Sequence, residues 1–201
     1  MTDSKADETN RLRSGVRNAY SAAAEQPGGK HPFPLGKRFA KSLGYSRGLL
    51  KQLPSASVEA FTGTSNVSGF AELCPGDIVL DLGCGGGLDS LVAAERVGTE
   101  GTVIGVDFSR SMIGRASRAA RETDRNNVLF CLADAEILPL ADGSVDKVLV
   151  NGIFNLNPRR ASIFRELARV VRKGGAVYAG EIIQTEPSEQ ALPSSDSDWF
   201  A

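Results

Sequence analysis

The chain has 201 residues, enough for one domain with a real core and a modest extension. Its 23 Lys and Arg against 24 Asp and Glu give a net charge of −1, which argues against nucleic acid or a membrane surface as partner. No apolar run reaches the roughly 20 residues of a membrane span, and three cysteines without a C-x-x-C pair fit a reducing cytoplasm better than a disulfide framework or a metal site.

The acidic N-terminus, MTDSKADETN, lacks the apolar centre of a secretory signal. Residues 1–30 read as mostly irregular, with a short helix over Arg11 to Tyr20. The stretch GGKHPFPLGK (28–37), rich in Gly and Pro, predicts a wrapping linker. Weakly helical sequence follows to about residue 60, and TGTSNVSG (62–69) predicts a loop. From residue 74 strand-like and helix-like runs alternate. The strands are IVLDLG (78–83), TVIGVD (102–107), VLFCLA (128–133), VDKVLVNG (145–152) and AVYAGEI (176–182). In the second intervening helix Met112, Ile113, Ala116, Ala119 and Ala120 share one face. In the third, Asn157 is the expected cap, Pro158 the first turn and Gly174 the stop, with Ile163, Phe164, Leu167, Val170 and Val171 inward.

Apolar strands joined by helices predict an α/β fold: a Rossmann-like, open, mostly parallel sheet with helices on both faces, shortened after the fifth strand. The expected division is an N-terminal extension and linker (1–44), a ligand-binding domain (45–183) and a polar tail (184–201). Such sheets bind ligands beyond the carboxyl ends of their strands.

At that end lies VLDLGCGGG (79–87), where four of the five residues from 83 to 87 are glycine. The dinucleotide pattern G-x-G-x-x-G needs glycine at 88 or 90, and Leu88 and Ser90 stand there. The pattern present is Asp81, Gly83, Gly85, Gly87, with a second acid, Asp107, closing the next strand where a carboxylate can accept from ribose hydroxyls.

With DLGCGGG, GVDFS and LADAEILPL (132–140), the sequence resembles the class I S-adenosylmethionine-dependent methyltransferases. The resemblance implies S-adenosylmethionine as cofactor. Asp81 would orient its methionine end, and Gly83, Gly85 and Gly87 would offer bare backbone. Asp107 and Phe108 belong to the second motif, Asp107 holding the ribose. Met112 would pack near the adenine, with Asp134 and Ala135 at its amino edge. YSRGLLKQLPSASVEAF, LPLADGSVDKVLVNGIFNLNP and FRELARVVRKGGAVYAGEI resemble the arsenite methyltransferase branch more closely. That branch carries arsenic-binding cysteines before the first motif and at the fourth strand's exit. Here those stretches read FTGTSNVSG and NGIFNLN, without cysteine.

Arsenic is therefore not the expected substrate, and a small-molecule methyl acceptor is. Asn151 is the candidate catalytic residue, with a cofactor contact as well; Asn66, Phe154 and Asn155 are the candidate acceptor contacts. Tyr20 resembles a tyrosine that folds over the cofactor in this branch, and His31 is a weaker candidate base. The alternatives are a cofactor-binding protein without catalysis, and arsenite methylation despite the missing cysteines.

Overall fold

The computed structural model describes residues 2–183, with side chains from residue 7 onward. The expected tail, 184–201, lies outside the described residues. Five strands, β1 (Ile78–Leu82), β2 (Thr102–Asp107), β3 (Val128–Leu132), β4 (Val145–Asn151) and β5 (Val171–Gly180), form one sheet in the order β3-β2-β1-β4-β5. Every pairing is parallel. The chain steps outward from β1 through β2 and β3, then returns to β1's other side for β4. The crevice between β1 and β4 is thus the point where strand order reverses, and ligand sites of open α/β sheets lie there.

Alternation along β1 assigns its side chains. Val79 faces α6 (Leu88–Val97) and joins a core with Leu91, Val103, Leu149, Tyr45 and Phe61. Leu80 and Leu82 face α8 (Arg160–Val170) and pack with Val148, Val150, Ile163 and Leu167. Leu80 and Leu82 are fully buried, each worth about 1.5–3 kcal/mol on the usual scale for aliphatic burial. Asp81 falls on the α6 face by the same alternation, so a carboxylate is carried into the core beside that helix.

The N-terminal region is more ordered than its sequence predicts. Helix α1 spans Thr2–Glu25 rather than Arg11 to Tyr20 alone. It packs on α7 (Arg110–Glu122), where Ala23 and Ala24 meet Met112 and Ala60. Arg115 fastens it by donating to the Ala24 and Ala56 carbonyls. A largely polar helix has little intrinsic signal; these tertiary contacts supply its stability. Short helices α2 (Gly36–Ser42), α3 (Leu49–Gln52) and α4 (Ser55–Glu59) follow, and α5 (Val67–Phe70) interrupts the expected 62–69 loop. No described helix is long and apolar enough to cross a membrane.

Three expectations at the C-terminal side are corrected. Helix α8 begins at Arg160, with Arg159 at its cap; Asn157 instead accepts from the Arg159 amide at 2.7 Å. The helix ends at Val170, because Val171 already begins β5, and Gly174 (φ 81°) lies inside that strand's span. Phe164 is half exposed and packs on Phe154, ring centroids 4.6 Å apart, instead of turning inward.

Helix α7 is capped by Ser109, whose Oγ accepts from the Met112 amide at 3.3 Å and lies 2.8 Å from Ser21 Oγ of α1. Ser109→Ala removes both contacts. It is expected to lower stability by about 1–2 kcal/mol, read as a lower urea midpoint at unchanged slope.

Candidate functional site

A cleft of about 750 Å³ opens at the β1–β4 switch point. Its floor is the glycine turn. Gly83 and Cys84 both donate to the Val106 carbonyl, at 2.7 and 3.0 Å, and the Gly85 amide donates to Asp107 Oδ2 at 3.0 Å. These bonds hold the turn down on β2. Gly83, Gly85 and Gly87 all have positive φ (70°, 51° and 82°), where a side chain is strained.

The three glycines are not equivalent. A Cβ at Gly85 would touch only Met112 Sδ, at 3.9 Å, so its backbone is bare toward the cleft. At Gly83 a Cβ would lie 2.0 Å from Ile153 Cδ1: the β4 exit leans on that residue. At Gly87 a Cβ would come within 2.9 Å of the Phe130 ring and 3.0 Å of Ala116. Gly87 lines neither cleft, and its bareness lets α6, α7 and β3 pack closely.

Three carboxylates stand at successive strand tips. Asp81 is buried and accepts from Ser90 Oγ at 2.5 Å; burial, reinforced by the Asp89 charge, pushes its pKa up to about 8. Asp107 is held by the amides of Ser109 (2.8 Å) and Gly85; burial outweighs these donors and pushes its pKa up to about 6. Asp134, two residues past β3, is paired with Arg13 of α1, which also reaches Glu136 at 3.1 Å. Phe108 and Ala135 line the same cleft, and the Arg17 guanidinium sits 5.4 Å from the Phe108 ring centre.

Behind the turn a second, polar recess of about 360 Å³ is walled by Asp81, Asp89, Ser57, Gly86 and Asn151. Asp89 is absent from the sequence reading. It accepts from Tyr45 Oη (2.6 Å), Ser68 Oγ and Asn151 Nδ2 (2.9 Å). Burial and the Asp89 charge together push the Tyr45 hydroxyl far up. Its place in the first turn of α6, where the positive end of the helix stabilises an acid, was the available signal.

Asn151 lines both cavities, yet its amide is spent. Oδ1 accepts from the amides of Thr64 (2.7 Å) and Ser65 (3.1 Å), and Nδ2 donates to the Ser65 carbonyl (2.8 Å) and Asp89. With two donors and two acceptor sites on the side chain, nothing remains for a ligand. The residue ties the 62–66 segment to β4 and α6.

Other expected contacts fall elsewhere. Asn66 donates to the Gly44 carbonyl at 3.2 Å, Asn155 donates to the Ile182 carbonyl, and Phe154 packs on Phe164; none of them lines the cleft. Met112 is fully buried beneath the turn, with Ala23, Ala24 and Ala60, so it supports the floor and is not part of the wall. His31 lies 2.8 Å from the Gln26 carbonyl in the linker. Tyr20 does line the cleft, stacked on Phe33 at 4.6 Å, and burial with the charges of Asp107 and Glu181 pushes its hydroxyl well up. Arg13 and Val16 join it, so α1 roofs the cleft. Of these α1 contacts the sequence offered Tyr20; Arg13 and Val16 carry no local motif.

The bare Gly85 turn between two buried carboxylates suits a ligand that is cationic at one end and carries a ribose, rather than a pyrophosphate, which an acid-lined recess would repel. Comparison with known proteins agrees. The chain is 42% identical over 125 residues to an arsenite methyltransferase of Halobacterium salinarum, covering 62% of this chain and 32% of that protein. Over 115 residues it is 34% identical to a demethylmenaquinone methyltransferase of Lactococcus lactis, covering 57% of this chain and 44% of that one. It thus spans from about a third to under half of the length of these curated relatives. Among solved structures, an arsenic(III) S-adenosylmethionine methyltransferase from Chlamydomonas reinhardtii superposes with a TM-score of 0.56 at 29% identity, over 73% of this chain and 49% of that one. The Chlamydomonas reinhardtii enzyme is named for S-adenosylmethionine, and S-adenosylmethionine is the cofactor that the methyltransferase domain implies for this chain; the recess and turn fit it. Residues 74–200, more than half of the chain, match the family model described as a methyltransferase domain, and the chain belongs to that family.

Proposed function

We propose that this chain binds S-adenosylmethionine across Gly83 and Gly85 and directs its methyl group to a small-molecule acceptor. The observation that carries this reading is the bare Gly85 turn held between Asp81 and Asp107 at the reversal of strand order. In it Asp81 faces the methionine ammonium, Asp107 takes the ribose hydroxyls, and Phe108, Ala135 and Asp134 border the adenine. Residues 45–183 are the cofactor domain and 1–44 its cover, in a cytoplasmic protein.

When bound, the cofactor supplies an electrophilic methyl on a sulfonium. The protein's share is alignment and the exclusion of water, and alignment alone can supply much of the acceleration. Tyr20, Val16 and Arg13 cover the cleft, and Arg13 must share Asp134 with any adenine amino group that reaches it.

The acceptors named for the relatives are arsenite and demethylmenaquinone. Arsenic held by thiolates does not suit this chain. The segments that carry cysteines in the arsenite branch meet here at Thr64 and Gly152, where a Cβ on Gly152 would stand 3.0 Å from Thr64 Cγ2. Cys74 is exposed before β1, Cys84 is buried after it with its thiol pushed well up by burial, and Cys131 lies inside β3, so the three free thiols do not replace that pair. A second reading, cofactor binding without transfer, draws on Ile153, which covers Gly83.

Calorimetric titration with S-adenosylhomocysteine and with NAD tests the main reading. Binding of the first in the micromolar range and none of the second is expected; no binding of either nucleoside defeats the proposal. Labelled methyl transfer to a panel of organic hydroxyl and amine acceptors, with arsenite included, is expected to label an organic product and leave arsenite unmethylated. Cofactor binding with no labelled product favours the second reading.

A further inference from the structure

Glu181 follows β5 directly, at the same sheet end as the cleft and beside the exit of β4. Its Oε1 accepts from the amides of Ile153 (2.7 Å) and Phe154 (2.9 Å) and so fixes the turn that leaves β4. Its Oε2 is buried and has no hydrogen-bond partner among the described residues; no other buried side-chain oxygen or nitrogen there lacks one. A buried carboxylate oxygen without a donor is costly, and native proteins rarely keep one without a use. The surroundings point to the cleft. Ile153, whose amide Glu181 holds, lays its side chain on Gly83, and Gly152 and Ile153 both line the cavity. Glu181 does not itself line the cavity, yet the Tyr20 hydroxyl, which does, feels the charges of both Asp107 and Glu181.

We propose that Glu181 is the acceptor-binding residue: Oε1 holds the β4 exit, and Oε2 accepts a hydrogen bond from an O–H or N–H of the methyl acceptor. A ligand laid along Gly83 displaces the Ile153 side chain and opens the way from the cleft to that oxygen. The acceptor class is a compact, protic molecule with an apolar or aromatic body, because Tyr20, Val16, Ile153 and Leu156 are among the side chains that line the cavity. This inference rests on the methyltransferase reading above, and it puts Glu181 in place of Asn66, Phe154 and Asn155 as the determinant of acceptor choice.

Glu181→Gln separates the two roles of the side chain. The amide oxygen can keep the Ile153 and Phe154 amides, which leaves an NH₂ where Oε2 stood, a group that donates and cannot accept. Catechol serves as the protic probe and 1,2-dimethoxybenzene as its counterpart without O–H. Each is titrated calorimetrically into the 201-residue chain saturated with S-adenosylhomocysteine. Catechol is expected to bind the wild type at least about tenfold more tightly than the dimethyl ether, and Glu181→Gln to abolish that preference. S-adenosylhomocysteine affinity should stay within about twofold in the variant, as expected for a residue with no cofactor contact. Equal catechol affinity in wild type and variant, or no catechol binding to the loaded wild type, overturns the proposal. Failure of S-adenosylhomocysteine to bind the wild type defeats the underlying reading instead, and the acceptor site with it. If the variant does not fold, the infrared carboxylate bands of the wild type decide: a catechol-induced shift supports the contact, and unchanged bands overturn it.

Discussion

Asp107→Ala is expected to weaken S-adenosylhomocysteine binding by about 1–3 kcal/mol, the usual worth of hydrogen bonds to a buried carboxylate. Calorimetry at pH 7.5 measures it directly. The carboxylate is positioned by two backbone donors, Ser109 N and Gly85 N, so it does not swing to meet a ligand. That preorganisation makes it the single polar group whose loss should matter most. The substitution also frees the Gly85 amide, loosening the floor of the cleft. A thermal midpoint close to that of the wild type, together with weakened binding, assigns the effect to the ligand contact. Undiminished affinity would put the ribose elsewhere. The pKa near 6 adds a pH signature: below about pH 6 the carboxylate is protonated and accepts less strongly, so wild-type affinity should fall there and the variant's should not.

The parts of this site that the sequence disclosed are those that lie close together along the chain. Asp81, the glycine turn and Asp107 are consecutive strand-end features, and the period-two alternation that makes β1 also buries Asp81. What escaped notice joins residues far apart. Asn151 reads locally as the end of a strand, yet its partners are Thr64 and Ser65 on one side and Asp89 on the other, so its role as a clamp follows only from the folded arrangement. The full length of helix α1, beyond the predicted Arg11 to Tyr20, escaped for a related reason: its order comes from Arg115 and from the alanine contacts with α7, not from its own apolar stripe. Periodicity correctly named the α8 face that holds Ile163 and Leu167, but placed Phe164 inward, and it stays half exposed against Phe154. Glycine is ambiguous in the same way. Gly85 and Gly87 look alike in sequence, and only the position of Phe130 and Ala116 assigns Gly87 to packing and leaves Gly85 open to the cleft.

Stability is expected to fall as pH rises from 5 to 8, and Asp81→Asn to remove most of that dependence. The pKa of Asp81 in the folded protein, about 8, lies far above the ordinary value of 3.8. Between those limits the folded protein retains a proton that the unfolded chain has released. Stability is therefore full below about pH 4 and is lost as pH climbs through 8; Asp107 contributes in the same direction over the lower part of that range, up to about 6. The loss between pH 5 and 8 should be on the order of 2–4 kcal/mol, or roughly 5–15 °C in midpoint for a chain of this size. Asparagine matches the neutral carboxyl and can still accept from Ser90, so the variant should melt with the wild type at pH 5 and well above it at pH 9. Parallel pH profiles would mean that Asp81 is ionised throughout. Cofactor binding should run the other way. A methionine ammonium beside Asp81 favours the carboxylate, so the wild type should bind S-adenosylmethionine more tightly as pH rises from 6 to 8 and release a proton on binding. Calorimetry in two buffers of different ionisation enthalpy counts that proton. Asp81→Asn should release none and bind more weakly at pH 8, since it has a neutral amide where the wild type can form a carboxylate; the residue that weakens the folded chain in alkali is then the one that makes the site receptive to a cation.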